Sequence, residues 1–223
     1  MKILAFDTSS TACSVALLIK DPNGHDVINF THQVAPMQQA KQILPAINQL
    51  LAEQGIALSQ LDAIAYGAGP GSFTGIRIAA SVAQGLGFSA DIPVISISSL
   101  AAMAQAAYLE HQAEHIFVAL DARQKQIYWA YYQATQTGLV ELIGTEQICF
   151  PNQIPRASST EGYGVGDAWV NYQDDLLQAL GLTSCKINIS QLPTAQALLS
   201  LAKKKYEKSE FISVNNAIPV YLR

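Results

Sequence analysis

Lys2-Ile3-Leu4-Ala5-Phe6-Asp7-Thr8-Ser9-Ser10-Thr11-Ala12-Cys13-Ser14-Val15-Ala16-Leu17 sets a short apolar run, an aspartate, a polar turn and a second apolar run in succession. The pattern predicts a buried strand at Lys2–Phe6 ending in Asp7, a turn at Thr8–Thr11 and a return strand at Cys13–Ile19. The arrangement comes back at Ile116–Leu120, an apolar run that ends in Asp121. There the turn is Ala122-Arg123-Gln124-Lys125, and Gln126–Gln133 is rich in β-forming residues, with Ile127, Tyr128, Trp129, Tyr131 and Tyr132. Two units that each begin strand, aspartate, turn, antiparallel strand are what two tandem RNase-H-like lobes would give, each a mixed sheet flanked by helices.

Reading outward, Asp21-Pro22-Asn23-Gly24 is a turn and Val27–Val34 a third strand. A helix follows over Gln38–Gln54, with Ala40, Ile43, Leu44, Ile47, Leu50 and Leu51 on one stripe and a kink expected at Pro45. Leu61–Tyr66 reads as a strand, Ser72–Phe88 as a helix and Ile92–Ile97 as a strand. After a helix at Ser99–Glu110 the second unit adds strands at Leu139–Gly144, Gly162–Val165 and Lys186–Ile189, and helices at Trp169–Leu180 and Thr194–Lys205. The expected division is 1–98 and 99–223, with the tail free to pack back on the first lobe.

Composition narrows the classes. Of 223 residues, half are hydrophobic and 13 % charged, which supplies a large core and leaves apolar surface for a partner. No apolar run approaches the roughly 20 residues of a spanning helix, and the chain enters its first strand without a signal-peptide layout. Cys13, Cys149 and Cys185 fit neither a disulfide framework nor a zinc knuckle, so a reduced, cytoplasmic setting is expected. A net charge of −4 argues against unaided nucleic-acid binding; Lys203, Lys204, Lys205 and Lys208 are the one basic cluster.

Gly67-Ala68-Gly69-Pro70-Gly71-Ser72-Phe73-Thr74-Gly75-Ile76-Arg77 follows a strand and opens a helix, the setting in which backbone N–H groups receive an anion. Ser72 suits the N-cap. The segment lacks the P-loop lysine, and Ser72 stands where the dinucleotide fingerprint needs its third glycine. A tight structural turn is the stronger reading, with Asp7, Thr8, Gly69, Gly71 and Ser72 kept as a weak nucleotide- or anion-binding group. In the helix that follows, Gly75, Ala79, Ala83 and Gly87 recur every fourth residue. Such a ridge of small residues admits a second backbone, either the chain's own sheet or a partner.

His111 and His115 are spaced as a metal pair on a helix, but Gln112 replaces the zincin glutamate and no third ligand is adjacent. Asp7 and Asp121 each end a strand at a turn, where enzymes of two-lobed folds hold metal-bound nucleotide. Neither turn, Thr8–Thr11 or Ala122–Lys125, contains the glycine that would let its backbone wrap a phosphate.

The chain resembles the TsaB (YeaZ) family over nearly its whole length. The matching motifs are Ile3–Ser9 with Ala12–Leu17, Ile43-Leu44-Pro45, Gly69–Arg77, Ser98-Ser99-Leu100, Asp121-Ala122-Arg123 with Ile127-Tyr128-Trp129, and Pro219-Val220-Tyr221-Leu222-Arg223. The resemblance implies a two-lobed actin-like (ASKHA) fold and a part in making threonylcarbamoyladenosine at position 37 of tRNAs that read codons beginning with A. The family's catalytic relative, TsaD, transfers the threonylcarbamoyl group from its adenylate and holds a metal with His-x-x-x-His after the strand equivalent to Ile92–Ile97. Here that stretch is Ser98-Ser99-Leu100-Ala101-Ala102-Met103, which has no ligand. Asp121-Ala122-Arg123 replaces the glycine pair with which TsaD binds phosphate.

The function so implied is a non-catalytic partner that pairs with TsaD, is joined by the ATPase TsaE, and self-associates when TsaD is absent. It would meet tRNA only through the complex, and no cofactor or metal is expected. The resemblance places the interface on the helices Gln38–Gln54 and Ser72–Phe88, with Ile43, Ile47, Gly75, Ala79, Ala83 and Gly87 as candidate contacts. Gln39 stands where many relatives carry histidine, so a role for that histidine does not carry over, and many relatives run on past the Tyr-Leu-Arg ending. The alternatives are an ATP-dependent small-molecule kinase or carbamoyltransferase of the actin-like superfamily, which an intact phosphate loop would favour, and a metallopeptidase, which a third ligand would favour.

Overall fold

The computed structural model describes residues 1–222. The chain forms two compact units, one of Met1–Ala102 with Pro193–Val220, the other centred on Met103–Leu192. The C-terminal helix thus belongs with the first sheet, because its apolar face completes that sheet's second core layer.

In the first unit, β1 (Ile3–Asp7), β2 (Ala12–Lys20), β3 (Asp26–Val34), β4 (Ala63–Gly67) and β5 (Val94–Ile97) form one sheet in the order β3-β2-β1-β4-β5. β1 lies antiparallel to β2 and parallel to β4, and β4 is parallel to β5. β1 is central and every residue of it is buried, as a continuous apolar run demands. Alternate side chains feed two layers. Leu4, Phe6, Val15, Leu17, Ile64 and Tyr66 meet α1 (Gln39–Glu53) and α2 (Phe73–Ala90) through Ile43, Ile47, Leu50, Ala79 and Ala83. Ile3, Ala5, Ala16, Leu18 and Ile95 meet α5 (Ala195–Glu207) through Leu198, Leu199 and Ala202. Thr194 caps α5 by accepting the Ala197 N–H, and Ser14 Oγ accepts the Ala195 N–H at 2.8 Å, which fixes the helix start to β2.

After α3 (Ser99–His111), the second unit holds β6 (His115–Arg123), β7 (Gln126–Ala134), β8 (Val140–Cys149), β9 (Glu161–Val165), α4 (Trp169–Leu180) and β10 (Ser184–Asn188). Its sheet order is β10-β9-β6-β7-β8, with β6 antiparallel to β7 and parallel to β9. Counted from the first strand of each unit, both sheets have the order 3-2-1-4-5 with the second strand antiparallel to the first. That is the RNase-H-like arrangement, present twice. The core of the second unit is aromatic: Phe117 stacks beside Trp129, and Trp169 Nε1–H donates to the Phe117 carbonyl at 3.2 Å.

Three local expectations change. α1 continues through Pro45; the interrupted helix is α4, where Tyr172 leaves helical geometry at φ −126° and ψ 19°. β8 does not stop at Gly144. That residue takes a φ of +81° within a register shift, and the strand resumes to Cys149.

The ridge on α2 is spent inside the chain. Ala79 and Ala83 are fully buried in the first core, and a Cβ on Gly87 would lie 2.9 Å from Val94 Cγ2. Ile43 and Ile47 are buried with them. Expected at a partner contact, these side chains instead seat the two helices on their own sheet, because only small residues let α2 sit that close to it. Ala83→Leu should therefore lower the stability of the isolated chain by about 1–3 kcal/mol through overpacking, read from urea unfolding. A stable, folded Ala83→Leu chain would return the ridge to the surface.

Candidate functional site

The five residues singled out as an anion site meet at the end of β1, where Gly71 lies against the Ser9 carbonyl, whose oxygen is 2.5 Å from where a Cβ on Gly71 would stand. Asp7 is buried. Its Oδ1 accepts both the Ser9 N–H and the Ser9 hydroxyl at 2.8 Å, and its Oδ2 accepts the Ser99 hydroxyl at 3.1 Å. The Thr8 hydroxyl donates to the Gly75 carbonyl at 2.7 Å. The Ser72 N–H donates to the Ser9 carbonyl at 2.7 Å, and Ser72 Oγ accepts the Gly75 N–H to cap α2. Gly69, at φ +101°, accepts the Ser99 N–H at 2.9 Å. Asp7, the Thr8 hydroxyl and Ser72, three of the groups that would meet an anion, are thus bonded within the chain.

The fit is close enough to require glycine at two places. A Cβ on Gly67 would fall 1.8 Å from Asp7 Oδ2, and one on Gly75 would fall 1.9 Å from the Thr8 carbonyl oxygen. The glycines let the first turn press against β4 and α2. The chain's end adds a further contact. Tyr66 donates its hydroxyl to the Ile218 carbonyl at 3.1 Å, and the Val220 N–H donates to the Ala68 carbonyl at 2.8 Å.

Burial pushes the Asp7 carboxyl above its free value of 3.8, and the hydrogen bonds from Ser9 and then Ser99 only partly counter that. In the second unit the corresponding Asp121 is half-buried and accepts the Arg123 N–H at 2.7 Å, while its own N–H donates to Asp167 Oδ1 at 2.8 Å. Arg123, Gln124 and Lys125 form the turn with φ of +69°, +52° and +63°, so the left-handed geometry is carried without glycine.

His111 and His115 do not form a metal pair. Gln112, at φ +54°, follows the end of α3, so the helical spacing is lost. His111 stacks on Tyr163 at 5.0 Å, whereas His115 Nδ1 shares a hydrogen bond with the Tyr131 hydroxyl at 2.7 Å. Among the described residues no three His, Cys, Asp or Glu side chains gather as a metal site. The basic cluster is engaged locally: Lys203 with Asp26, Lys205 with the Ser96 carbonyl and Lys208 with Glu210.

What α1 and α2 present outward was missed by the search for small residues. Leu44 on α1 is 46 % exposed; on α2, Phe73 is 61 % and Phe88 81 % exposed. The Arg77 guanidinium lies 3.5 Å over the Phe73 ring. Phe73 and Phe88 fall off the ridge of small residues, whereas Leu44, read as part of the apolar stripe of α1, lies outside its buried part. Ser99 as a partner of Asp7 was not legible, because 92 residues separate the two.

Fold and site together define a duplicated RNase-H-like protein whose first phosphate-type turn is filled by the chain itself. Residues 32–161 match the family described as TsaD, tRNA N6-adenosine threonylcarbamoyltransferase. All of the chain aligns, at 40 % identity, with 94 % of the tRNA threonylcarbamoyladenosine biosynthesis protein TsaB of Haemophilus influenzae. The protein of that name from Escherichia coli is 36 % identical, again over the whole chain and 95 % of its own length. The solved structure of YeaZ from Pseudomonas aeruginosa is similar at a TM-score of 0.88 and 40 % identity, over 99 % of both chains. The chain belongs to the TsaB family.

The raised Asp7 value fixes the sign of a pH effect. As pH climbs past 3.8, the unfolded chain releases the Asp7 proton before the folded chain does. The folded state then loses relative stability until the pH passes its own higher value. Denaturant unfolding across that window should show this loss in the parent and not in Asp7→Asn. Equal slopes in the two proteins would contradict the burial argument.

Proposed function

We propose that this chain acts in the formation of threonylcarbamoyladenosine at position 37 of tRNA as the non-catalytic partner of TsaD. TsaD transfers the threonylcarbamoyl group from threonylcarbamoyl-AMP to N6 of the adenosine, and TsaE joins the pair. The observation that carries this reading is the filled first turn. Phosphoryl chemistry depends on donors poised at the charge that develops, and here Ser9 N–H, Ser72 N–H and the Thr8 hydroxyl are bound within the chain. The name and full-length similarity of the TsaB relatives support the same pathway.

The outward faces of α1 and α2 are the proposed TsaD surface, and in the absence of TsaD the surface for a second copy. Exposed Leu44, Phe73 and Phe88 are the anchors, in place of the buried Ile43, Ile47 and small-residue ridge. Aromatic anchors of this kind carry most of the affinity at protein interfaces. tRNA is met only through the complex, since Lys203, Lys205 and Lys208 are already engaged and few counterions are available for release. Among the described residues no helix is long and apolar enough to cross a membrane, in keeping with a cytoplasmic complex.

The test is reconstitution. Cognate TsaD and TsaE with tRNA should form the modified nucleoside when this chain is added and fail without it. The isolated chain should hydrolyse ATP at background, far below the ordinary enzyme range that begins near about 1 s⁻¹. Leu44→Glu with Phe88→Glu should weaken TsaD binding at least tenfold, about 1.4 kcal/mol, with an unchanged melt. Full modification without the chain, or unchanged affinity in the double variant, would overturn the corresponding half of the proposal.

A further inference from the structure

The second unit carries a cleft of about 210 Å³ on the face of its sheet that also packs α4. Its floor is Trp129 and Tyr131 of β7. One wall is Ile143, Gly144 and Thr145 of β8, and the other is Pro155, Arg156 and Ser158. Both walls are placed by features of the chain. Trp129 and Tyr131 are two residues apart, whereas their partners across the ladder, Gln147 and Ile143, are four apart, so β8 bulges outward at Gly144 with φ +81°. A bulge re-aims side chains at a sheet edge and is common beside functional sites. On the other side Ile154 is buried, and the Ala157 N–H donates to the Leu180 carbonyl at 3.1 Å. These two anchors tie the segment after β8 to the core and leave Pro155, Arg156 and Ser158 exposed at the cleft.

The floor is set in advance. The Phe117 ring lies 6.0 Å from that of Trp129 and 4.8 Å from that of Tyr131. The Tyr131 hydroxyl is hydrogen-bonded to both His115 Nδ1 at 2.7 Å and Ser158 Oγ at 2.9 Å. A surface held in this way loses little freedom when a ligand arrives. The charge at the cleft is unbalanced. The Arg156 guanidinium lies over Gly181, 2.8 Å from where a Cβ there would stand, and among the described residues it makes no ion pair or hydrogen bond. No carboxylate lines the cleft. Glu146, in the bulge, accepts the hydroxyl of Tyr132, which stands on the opposite face of β7 from Tyr131.

We propose that this cleft binds a small carboxylate with a short apolar body. Its oxygens meet the Arg156 guanidinium and the Ser158 hydroxyl, and its body lies on Trp129, Tyr131 and Ile143. A guanidinium fork matches a carboxylate in both geometry and charge. A phosphate monoester carries about −1.5 to −2 charge at neutral pH, and no second cation lines the cleft to balance it. Size limits the body: at about 30 Å³ per water, the volume equals about seven waters, or a molecule of roughly ten non-hydrogen atoms. A peptide added along β8 would need a regular edge, which the bulge removes. The site is separate from the outward faces of α1 and α2, so it is independent of the reading given for TsaD.

Phenylacetate suits the cleft in size, and for so small a ligand a dissociation constant near about 1 mM is expected. Titrated into the full chain and followed by ¹H–¹⁵N spectra, it should shift the Trp129 indole N–H, the Arg156 Nε–H and the amides of Ile143, Gly144 and Thr145. Phenylacetamide, of the same shape without the charge, and acetate, with the charge but no body, should each bind at least tenfold more weakly. Inorganic phosphate should be weaker than phenylacetate. Arg156→Gln, at an exposed position, should weaken phenylacetate at least tenfold with an unchanged melt and leave phenylacetamide as it was. The comparison of acid with amide needs no variant to fold. Absence of localised shifts at about 20 mM phenylacetate, far above the expected constant, overturns the proposal. So does equal binding of the amide, tighter binding of phosphate, or a folded Arg156→Gln chain with unchanged affinity. None of these outcomes bears on whether the chain supports TsaD.

Discussion

The constraint on which the first unit depends is the contact between the turn after β1 and the start of α2. Gly75 has no side chain because the Thr8 carbonyl occupies that space, and Gly67 has none because the Asp7 carboxylate does. Seating the turn there sets where α2 begins. Once the start is fixed, the helical period turns Ala79, Ala83 and Gly87 onto the sheet and Phe73, Arg77 and Phe88 outward. Ser99, at the first residue of α3, is drawn to the other oxygen of Asp7. One carboxylate thus gathers the end of β1, its turn and the opening of a helix far along the chain. A buried carboxylate is costly unless hydrogen-bonded, and three donors meet it.

The same contact accounts for the chemistry the site does not display. A helix start and a strand-end aspartate are where a nucleotide-binding relative of this fold would place its phosphates and metal-bound water. In this chain three donors there are committed: Ser72 N–H to Ser9, Thr8 to Gly75, Ser9 N–H to Asp7. An anion arriving there would have to break hydrogen bonds that are already buried, and each unmade bond of that kind costs about 1–3 kcal/mol. Stability has been gained at the position where catalysis would need unfilled donors. Exposed apolar side chains lie on α1, α2 and β3, among other elements.

Much of the fold was legible because its signals are local. The all-apolar β1, the repeat of strand, aspartate and turn, and the stripe of Ile43, Ile47 and Leu50 are each written within a few residues, and period alone assigns them. The filling of the turn was legible by half. Missing glycines at Thr8–Thr11 argued against a phosphate wrap, but that Gly67 and Gly75 serve the opposite purpose, admitting the chain's own atoms, needs the distance between β1, β4 and α2. The ridge on α2 was visible, but its direction was not: small residues permit close approach without saying to what. The sheet, with Val94 beneath Gly87, is the neighbour. Pro45 misled for a related reason. The tertiary contacts that bury Ile43, Ile47, Leu50 and Leu51 hold α1 as one helix across a residue that would weaken it alone.

The two sheets share one strand order, so their differences show where the duplicated plan has been adapted. At the first turn the chain closes the site with a buried aspartate and two close-packed glycines. At the second, Asp121 is half-buried and the turn is made of Arg123, Gln124 and Lys125, all left-handed without glycine. Such residues are uncommon in that conformation and cost about 1–3 kcal/mol each where nothing compensates, so the hairpin is held by its flanking strands and by the Asp121 bond to Arg123. The edges differ in the same spirit. A bulge at Gly144 breaks β8, while β3 keeps full register over nine residues. A sheet edge left regular and apolar in one copy of a repeat, and broken in the other, cannot be a requirement of the fold itself, since the fold is met both ways.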